Sequence, residues 1–353
     1  MKRRSFALAA GLCCVAAAAI PARAQQPPAI VTEEAMVPSG DPGIDIYVRN
    51  RHPATMTAFT AARTLVFVHG ATYPASTAFD LMLGGTSFMQ DLAEHGFDVY
   101  ALDLPGYGRS TRPVQMDQST AANAPIETTA DAVRHYGAVV DYVLHRRGLA
   151  RVDVMGWSWG TTIAAGFATA APQKTERLVL YAPIWIVRMD AAATADQGTL
   201  GAYRTVTRES ARQRWFTGVA ADQQAALIPA GWFDLWQQAT WATDPVGGTQ
   251  TPPVLRAPNG VIQDLRAYWM RGKATYDPAQ ITAPTLLVQG EWDHDTPPYM
   301  AQTLLPLIVN APWKRYVEIG GGTHTIIMEK NRRQLFAVVE AFLTEPAPDP
   351  AAP

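Results

Sequence analysis

The stretch "RVDVMGWSWGTTIAAGF", residues 151–167, contains a serine that lies between two tryptophans and two glycines. Residues 152–155 have the pattern of a buried strand, and the alanine-rich residues 161–170 have that of a helix. The segment between them reads G-x-S-x-G, a motif that indicates a nucleophile when it joins a strand to a helix. We therefore predict that Ser158 lies in a strained turn at the carboxyl edge of a sheet, where a helix N-terminus favours developing negative charge. A chance match in a loop is the alternative.

A serine hydroxyl needs a base, and the base needs a group to orient it. Downstream, the apolar run "TLLVQG" is followed by Asp293, and the glycine-rich loop "GGGTHTI" carries His324. The order Ser, Asp, His is the one expected for a nucleophile on a strand-to-helix turn. We predict that Ser158, Asp293 and His324 form a catalytic triad. Asp295 is expected to serve as the N-cap of the helix that starts near Thr296.

The rest of the chain predicts an α/β fold with a mostly parallel central sheet flanked by helices. Six apolar runs indicate buried strands, and an amphipathic helix is predicted at 126–148. The runs are residues 64–70, 97–106, 151–158, 177–183, 284–290 and 314–320. Between 186 and 275 the alternation stops, no convincing strand is visible, and tryptophans are dense. This segment is predicted to be a helical cap over the sheet.

The sequence resembles the α/β-hydrolase fold proteins over nearly all of its length after residue 24. The motifs that carry the resemblance are "FVHGAT", "DLPGYGRS", "GWSWGT" and the loops of Asp293 and His324. The resemblance implies that the backbone N–H groups of Ala71 and Trp159 form the oxyanion hole. It also implies that 186–275 is the cap that shapes the substrate pocket. Around the nucleophile the chain is similar to proline iminopeptidases, although "DLPGYGRS" departs from their usual form.

Aromatic side chains near the nucleophile and in the cap are expected to line an apolar pocket. The predicted substrate contacts are Trp157, Tyr73, Trp185 and Trp236. No cofactor is expected. No metal site is expected either, since no H-E-x-x-H occurs and both cysteines, Cys13 and Cys14, precede residue 25.

The N-terminus has the pattern of a secretory signal peptide. Three basic residues precede an apolar stretch at 6–20, and Ala22-Arg23-Ala24 forms a cleavage site. The pair Arg3-Arg4 also fits a twin-arginine signal, so both export routes remain open. The expected division is a signal peptide at 1–24, a hydrolase core at 25–185 and 276–345, the cap at 186–275 and a disordered tail at 346–353. We expect a periplasmic or secreted protein without a membrane anchor after cleavage.

The composition favours a small-molecule substrate as the partner. The net charge is −2 with no long run of one sign, which gives no basis for nucleic-acid binding. We predict a serine hydrolase that cleaves a carboxylic ester of a moderately bulky apolar or aromatic substrate. The alternatives are an aminopeptidase or amidase with an amine-binding acid in the cap, and an inactive binding protein. The available cap acids are Asp234, Asp244 and Asp264. Dehalogenase and epoxide hydrolase chemistry would require a carboxylate at 158.

Overall fold

The structure is a computed structural model that describes residues 28–188, 198–346 and 348. The predicted signal peptide and most of the predicted tail lie outside the described residues. The strands are β1 Ile30–Pro38, β2 Asp45–Pro53, β3 Thr64–Val68, β4 Asp98–Asp103, β5 Val152–Trp157, β6 Thr175–Tyr181, β7 Tyr203–Thr207, β8 Val254–Pro258, β9 Thr285–Gly290 and β10 Lys314–Ile319. The helices are α1 Ala75–Ala78, α2 Phe88–Glu94, α3 Thr129–Arg147, α4 Trp159–Ala170, α5 Arg208–Trp215, α6 Ala221–Leu227, α7 Trp232–Trp241, α8 Gly260–Ala267, α9 Pro298–Leu304 and α10 Arg332–Thr344.

The central sheet has eight strands in the order β1-β2-β4-β3-β5-β6-β9-β10. The strands from β4 to β10 in this order pair in parallel, whereas β1 and β2 join the sheet by antiparallel pairing. All six strands that the apolar runs predict are present in the parallel part. The prediction of a mostly parallel sheet flanked by helices is therefore confirmed.

The central strands are buried along their whole length and mostly apolar, as expected for strands that helices cover on both faces of the sheet. Every residue of β3, β4, β5 and β9 is buried. Successive side chains point to opposite faces. Phe67 therefore packs with Phe79 in one apolar layer, and Val66 and Val68 pack in the other. The carboxyl ends of these strands meet at one edge, where the candidate site lies.

The N-terminal hairpin of β1 and β2 is not among the strands predicted from the sequence. β1 is an edge strand, and only one of its nine residues is fully buried. Its acidic residues Glu33 and Glu34 form ion pairs with arginines at the surface. An edge strand of this kind lacks the continuous apolar run by which the inner strands were recognised.

The cap differs from the prediction in one respect, because it contains two strands as well as helices. β7 and β8 form an antiparallel pair. The pair is stabilised by Arg256, whose guanidinium donates to the buried carboxylate of Asp244 at 2.8 Å. The strands are five residues long and each contains an arginine, so their pattern is neither apolar nor clearly alternating.

Among the described residues, no helix has both the length and the hydrophobicity needed to cross a membrane.

Helix α3 is tied to the β1–β2 turn through a buried histidine. Thr128 and Asp131 form a capping box at its N-terminus, as a helix start favours. The Nδ1 atom of His135 lies 2.8 Å from Glu127 Oε1, and its Nε2 atom lies 2.9 Å from Asp41 Oδ2. Burial opposes the charge on this imidazole, but the two carboxylates outweigh burial and raise the pKa of His135.

We expect the stabilisation from His135 to decrease as the pH rises. A folded-state pKa above the unfolded value near 6.5 means that the stabilisation is complete below that pH and is lost as the pH passes the folded pKa. The difference in thermal midpoint between the native chain and His135→Gln should therefore shrink between pH 6 and pH 9. Circular dichroism melts across this range test the expectation, and a constant difference would contradict it.

Candidate active site

Ser158 lies on the strained turn that the sequence predicts between β5 and α4. Its backbone has φ 56° and ψ −122°, values that a non-glycine residue rarely adopts. The turn is possible because Gly156 and Gly160 have no side chain at two positions where other backbone atoms come very close. A Cβ at Gly156 would lie 2.0 Å from the Gly160 carbonyl oxygen, and one at Gly160 would lie 2.5 Å from the Val68 carbonyl oxygen. The N–H of Ser158 donates to the Tyr181 carbonyl at 2.9 Å, which fixes the turn to β6.

The structure brings His324 and Asp293 together as the sequence predicts. His324 Nδ1 lies 2.8 Å from Asp293 Oδ2. The carboxylate is itself held in place, since Oδ1 accepts from the N–H groups of Asp295 and Thr296 at 2.9 and 2.8 Å. The Thr296 hydroxyl donates to Oδ2 at 2.9 Å. An acceptor-only carboxylate at Nδ1 favours the tautomer with its proton there, which leaves Nε2 free to accept a proton.

The loop that carries His324 is held by hydrogen bonds to its backbone. Trp157 Nε1 and the Tyr181 hydroxyl both donate to the His324 carbonyl, at 3.1 and 2.9 Å. The indole of Trp157 also lies beside the imidazole, with ring centroids 5.6 Å apart. The two bonds fix the position of the histidine relative to the nucleophile turn, because Trp157 directly precedes Ser158.

A buried carboxylate that the sequence analysis did not single out stabilises the same loop. Glu329 is fully buried, and burial raises its pKa. It accepts from the hydroxyls of Thr323 and Thr325 and from the Thr323 N–H. It also accepts from Trp215 Nε1 of the cap at 3.1 Å. A single glutamate in "MEK" gives no sequence signal for this role.

The charges around His324 favour its protonated form. Burial alone would lower the pKa of the imidazole, but the carboxylates of Asp293 and Asp295 outweigh burial and raise the pKa. The guanidinium of Arg214 acts in the opposite direction. The proton acceptor of the site is therefore available only above a pH that exceeds the ordinary histidine value.

Asp295 does not have the role that the sequence analysis predicts. Helix α9 begins at Pro298, its N-cap is Pro297, and no side chain caps it. Asp295 instead forms an ion pair with Arg214 of cap helix α5, whose Nε lies 2.7 Å from Asp295 Oδ2. The same oxygen lies 3.9 Å from His324 Nε2. The prediction that Asp295 is the N-cap of a helix was wrong, because Arg214, which is distant in sequence, binds its carboxylate.

Both residues of the implied oxyanion hole lie at the nucleophile. Trp159 is the first residue of α4, where a backbone N–H has no carbonyl within the helix to bond. Its indole is buried and donates to Thr129, so only its backbone is available to a substrate. Ala71 lines the same cavity as Ser158. Next to it, a Cβ at Gly70 would lie 3.4 Å from Ser158 Oγ.

The loop of Ala71 is fixed on both sides. His69 Nε2 accepts from the Leu104 N–H at 3.0 Å, so Nδ1 carries the proton and donates to the Gly70 carbonyl at 2.6 Å. Thr72 has φ 87°, a strained value for threonine. Its hydroxyl accepts from Arg204 of β7 at 2.7 Å. The cap thus contacts the loop directly after the residue expected to bind the oxyanion.

The cavity at Ser158 is narrow and mostly apolar, with several aromatic side chains in its wall. The expected contact residues Trp157, Tyr73 and Trp236 form part of its wall together with Trp215. Trp236 lies edge-on to Tyr73, with ring centroids 4.7 Å apart. About 20 Å³ is open to the centre of a water molecule, which is room for roughly one water.

Trp185 does not belong to this cavity, contrary to the prediction. It is buried in the apolar layer on the other face of the sheet, where its ring packs against Tyr276 with centroids 5.6 Å apart. It follows β6 closely in sequence, but the chain turns away from the carboxyl edge before reaching it. A position next to a strand end is therefore not sufficient to predict a substrate contact.

The three cap acids considered as amine ligands are not in the cavity wall either. Asp234 is exposed and forms an ion pair with Arg208. Asp244 is buried by its pairing with Arg256, and Asp264 accepts from the Thr129 N–H at 2.6 Å. Each of these carboxylates has a structural partner elsewhere.

One group of side chains in the described residues could approach a metal ion. Asp91, His95 and Glu340 lie close together where α2 and α10 meet. Asp91 already forms an ion pair with Arg333, and His95 is half exposed. None of these residues lines the cavity of Ser158, so the candidate site itself contains no metal-ligating cluster in the described part of the chain.

We expect Gly70→Ala to disable the site without unfolding the chain. The added methyl would lie 2.8 Å from Ser158 Cβ and 3.0 Å from the Trp157 carbonyl oxygen, so the oxyanion loop must shift. Loss of one aligned oxyanion donor lowers kcat by about 10²-fold to 10³-fold. Steady-state kinetics and thermal midpoints check this. Gly137→Ala, whose methyl meets Phe167 at an ordinary 3.7 Å, is the control. Full activity in Gly70→Ala would contradict the proposed location of the hole.

Solved structures of low sequence identity share this fold. A serine hydrolase involved in carbazole degradation, the CarC enzyme, has a TM-score of 0.60 and 18% identity, and the match covers 89% of this chain and 99% of that chain. The 2-hydroxy-6-oxo-6-phenylhexa-2,4-dienoate hydrolase of Rhodococcus sp. strain RHA1 has a TM-score of 0.57 and 16% identity, with 89% and 99% covered.

Sequence relatives match only parts of longer proteins. The chain is 28% identical over 267 residues to the polyketide synthase ThaQ of Burkholderia thailandensis, which is 70% of this chain and 10% of that protein. The signature described as the alpha/beta hydrolase family matches residues 65–338, well over half of the chain. The chain therefore belongs to the alpha/beta hydrolase family.

Proposed function

We propose that the protein is an exported serine hydrolase that cleaves carboxylic esters through an acyl-enzyme intermediate. The observation that carries this proposal is the 2.8 Å contact between His324 Nδ1 and Asp293 Oδ2 beside Ser158 on its strained turn. His324 and Ser158 border one cavity. A nucleophile, a base and an orienting carboxylate in this order are the requirements of acyl transfer.

In the first half of the reaction, Ser158 Oγ attacks the carbonyl carbon of the ester while His324 Nε2 takes the hydroxyl proton. The negative charge that forms on the carbonyl oxygen is stabilised by the N–H groups of Ala71 and Trp159. His324 then gives the proton to the leaving alkoxide oxygen as the ester C–O bond breaks. Asp293 stabilises the imidazolium and keeps its tautomer throughout.

In the second half, a water molecule gives its proton to His324 Nε2 and attacks the acyl carbon. Collapse of the second tetrahedral intermediate breaks the bond to Ser158 and returns the proton to Oγ. The product is the free carboxylic acid. No cofactor takes part in these steps.

The cavity wall supports an apolar or aromatic acyl or alkyl group on the substrate. Tyr73, Trp157 and Trp236 supply ring surfaces, which favour such groups by burial of apolar area. Because the enclosed space has room for about one water molecule, such a group fits only when the cap helices or their rings move outward. Thioesters are included in the substrate class to be tested, because the chain matches part of a polyketide synthase.

Esters are preferred over peptides with a free amino terminus. An aminopeptidase needs a carboxylate that binds the substrate ammonium, and Asp234, Asp244 and Asp264 all have other partners. Asp295, unlike those three, does line the cavity, but it is already paired with Arg214. The proposal of export to a periplasmic or secreted location rests on residues 1–24 alone. The proposal of a small-molecule substrate rests on the net charge of −2 without a long run of one sign.

We expect Ser158→Ala to fold normally and to lose ester hydrolysis by a factor on the order of 10⁶, as removal of a triad nucleophile does. A fluorophosphonate probe should label the native chain at Ser158 and leave the variant unlabelled. The panel consists of p-nitrophenyl acetate, butyrate and benzoate, an acyl thioester and aminoacyl anilides, with bulkier esters preferred over acetate. Ser119→Ala, an exposed serine, is the control. Anilides cleaved faster than every ester would favour the peptidase alternative.

We expect Asp293→Asn to keep its fold and to lower kcat by a factor on the order of 10⁴, because the amide favours the wrong imidazole tautomer. KM should change little, since Asp293 lies behind His324 and does not line the cavity. Asp222→Asn, an exposed aspartate of α6, serves as the control. Measurements of kcat and KM for both variants test the assignment, and an active Asp293→Asn would show that another carboxylate orients His324.

A further inference from the structure

We propose that Arg214 and Asp295 are positioning residues for His324, with Arg214 holding the Asp295 carboxylate away from Nε2 so that the imidazole remains aligned with Ser158. The inference rests on the proposed function and extends it to two residues outside the triad. It assigns a purpose to the ion pair between Arg214 and Asp295 in the wall of a largely apolar cavity.

The geometry presents one carboxylate oxygen to two cationic partners. Asp295 Oδ2 accepts from Arg214 Nε at 2.7 Å and lies 3.9 Å from His324 Nε2. The first distance is a charge-assisted hydrogen bond, whereas the second is too long for a hydrogen bond. A small rotation of the Asp295 side chain would close the second gap. The bond to Arg214 opposes that rotation.

A hydrogen bond between Asp295 Oδ2 and His324 Nε2 would interfere with the proposed reaction. During each half of the reaction Nε2 receives a proton that it must return to an oxygen of the substrate or of Ser158. A carboxylate bonded to Nε2 would retain that proton in a charge-assisted hydrogen bond. It would also turn the imidazole away from Ser158. At 3.9 Å the carboxylate still stabilises the imidazolium by charge, without competing for the hydrogen bond.

The charges that act on these three groups come from several elements. Asp293 contacts His324 at Nδ1, and Arg214 lowers the pKa of His324 while both aspartates raise it. His294 acts on Asp295, and together with Arg214 and His324 it lowers the pKa of Asp295 despite burial. Arg204 of the cap and Tyr73 of the core loop after β3 also lie within electrostatic range of Arg214. Glu329 is beneath the loop and is bonded to its threonines.

The arrangement also makes the base sensitive to the position of the cap. Arg214 belongs to cap helix α5, whereas Asp295 belongs to the loop that follows β9. The hydrogen bond between them therefore exists only when α5 lies against the core. When the cap moves away from the core, Asp295 loses its guanidinium partner. The imidazolium that forms on His324 during the reaction is then free to attract the Asp295 carboxylate.

A double-mutant cycle tests the proposal, with Arg214→Met, Asp295→Asn and the combination of both. We expect Arg214→Met to move the acid limb of kcat/KM to higher pH and to lower the plateau kcat at least tenfold, because the released carboxylate captures Nε2. Asp295→Asn should move the acid limb to lower pH and lower kcat two- to fivefold. The double variant should recover kcat to within about threefold of Asp295→Asn, since no carboxylate remains to compete.

Thermal midpoints of all the variants separate positioning from a purely structural role, because removing the second member of a structural ion pair also relieves the uncompensated charge and would restore stability and kcat together. Positioning instead predicts that kcat falls in Arg214→Met and recovers in the double variant while the thermal midpoints change little. Arg208→Met is the matched control: Arg208 lies on the same helix and forms an exposed ion pair with Asp234. It should leave the pH profile unchanged. A double variant as slow as Arg214→Met, or an acid limb that moves in the same direction in both single variants, would overturn the proposal.

A readout that does not depend on the substrate keeps this test separate from the proposed function. NMR titration of the His324 imidazole should give the pKa order Arg214→Met above the native chain above Asp295→Asn. If the native chain hydrolyses no ester, or if Ser158→Ala remains active, the proposed function fails, and the titration still tests whether Arg214 and Asp295 act on His324. An unchanged imidazole pKa in both variants would overturn the positioning proposal whatever the activity.

Discussion

The close backbone contact between Gly156 and Gly160 is the constraint on which the rest of the site depends. A side chain at either position would collide with backbone, at 2.0 Å from the Gly160 carbonyl in one case and 2.5 Å from the Val68 carbonyl in the other. The contact lets α4 begin one residue after the nucleophile and holds Ser158 at φ 56°. Strain of this kind persists only where surrounding contacts over-determine the backbone. Here the sheet does so, because Ser158 is bonded to β6 through the Tyr181 carbonyl.

Around this turn, the histidine loop is held by the same two strands that carry the nucleophile. Trp157 from β5 and Tyr181 from β6 both donate to the His324 carbonyl. Nucleophile and base therefore share a rigid support, which is the condition for short-range proton transfer. The orienting carboxylate is similarly restrained, because Asp293 accepts from two backbone N–H groups and a hydroxyl.

The cap is attached to the core by polar contacts at the catalytic loops. Arg204 donates to Thr72 after the oxyanion loop, Trp215 donates to Glu329 under the histidine loop, and Arg214 pairs with Asp295. Each of these contacts is partly or wholly removed from water, where hydrogen bonds and charges act more strongly than at the surface. Movement of the cap would therefore alter the oxyanion loop, the histidine loop and Asp295 together, through these three side-chain contacts.

The sequence by itself determined the parallel core of the fold and indicated the three residues of the proposed triad, because both depend on local patterns. A buried strand, a G-x-S-x-G turn and a helix are contiguous in the chain, and Asp293 and His324 lie in the loops that follow β9 and β10. Only the tertiary structure decided the partners that lie far apart in sequence. Asp295 binds Arg214 and does not cap α9, Glu329 fixes the histidine loop, and Trp185 packs away from the cavity. These outcomes depend on which elements the fold brings into contact, and a carboxylate or an indole can satisfy its hydrogen bonds and burial in many ways until those contacts are set.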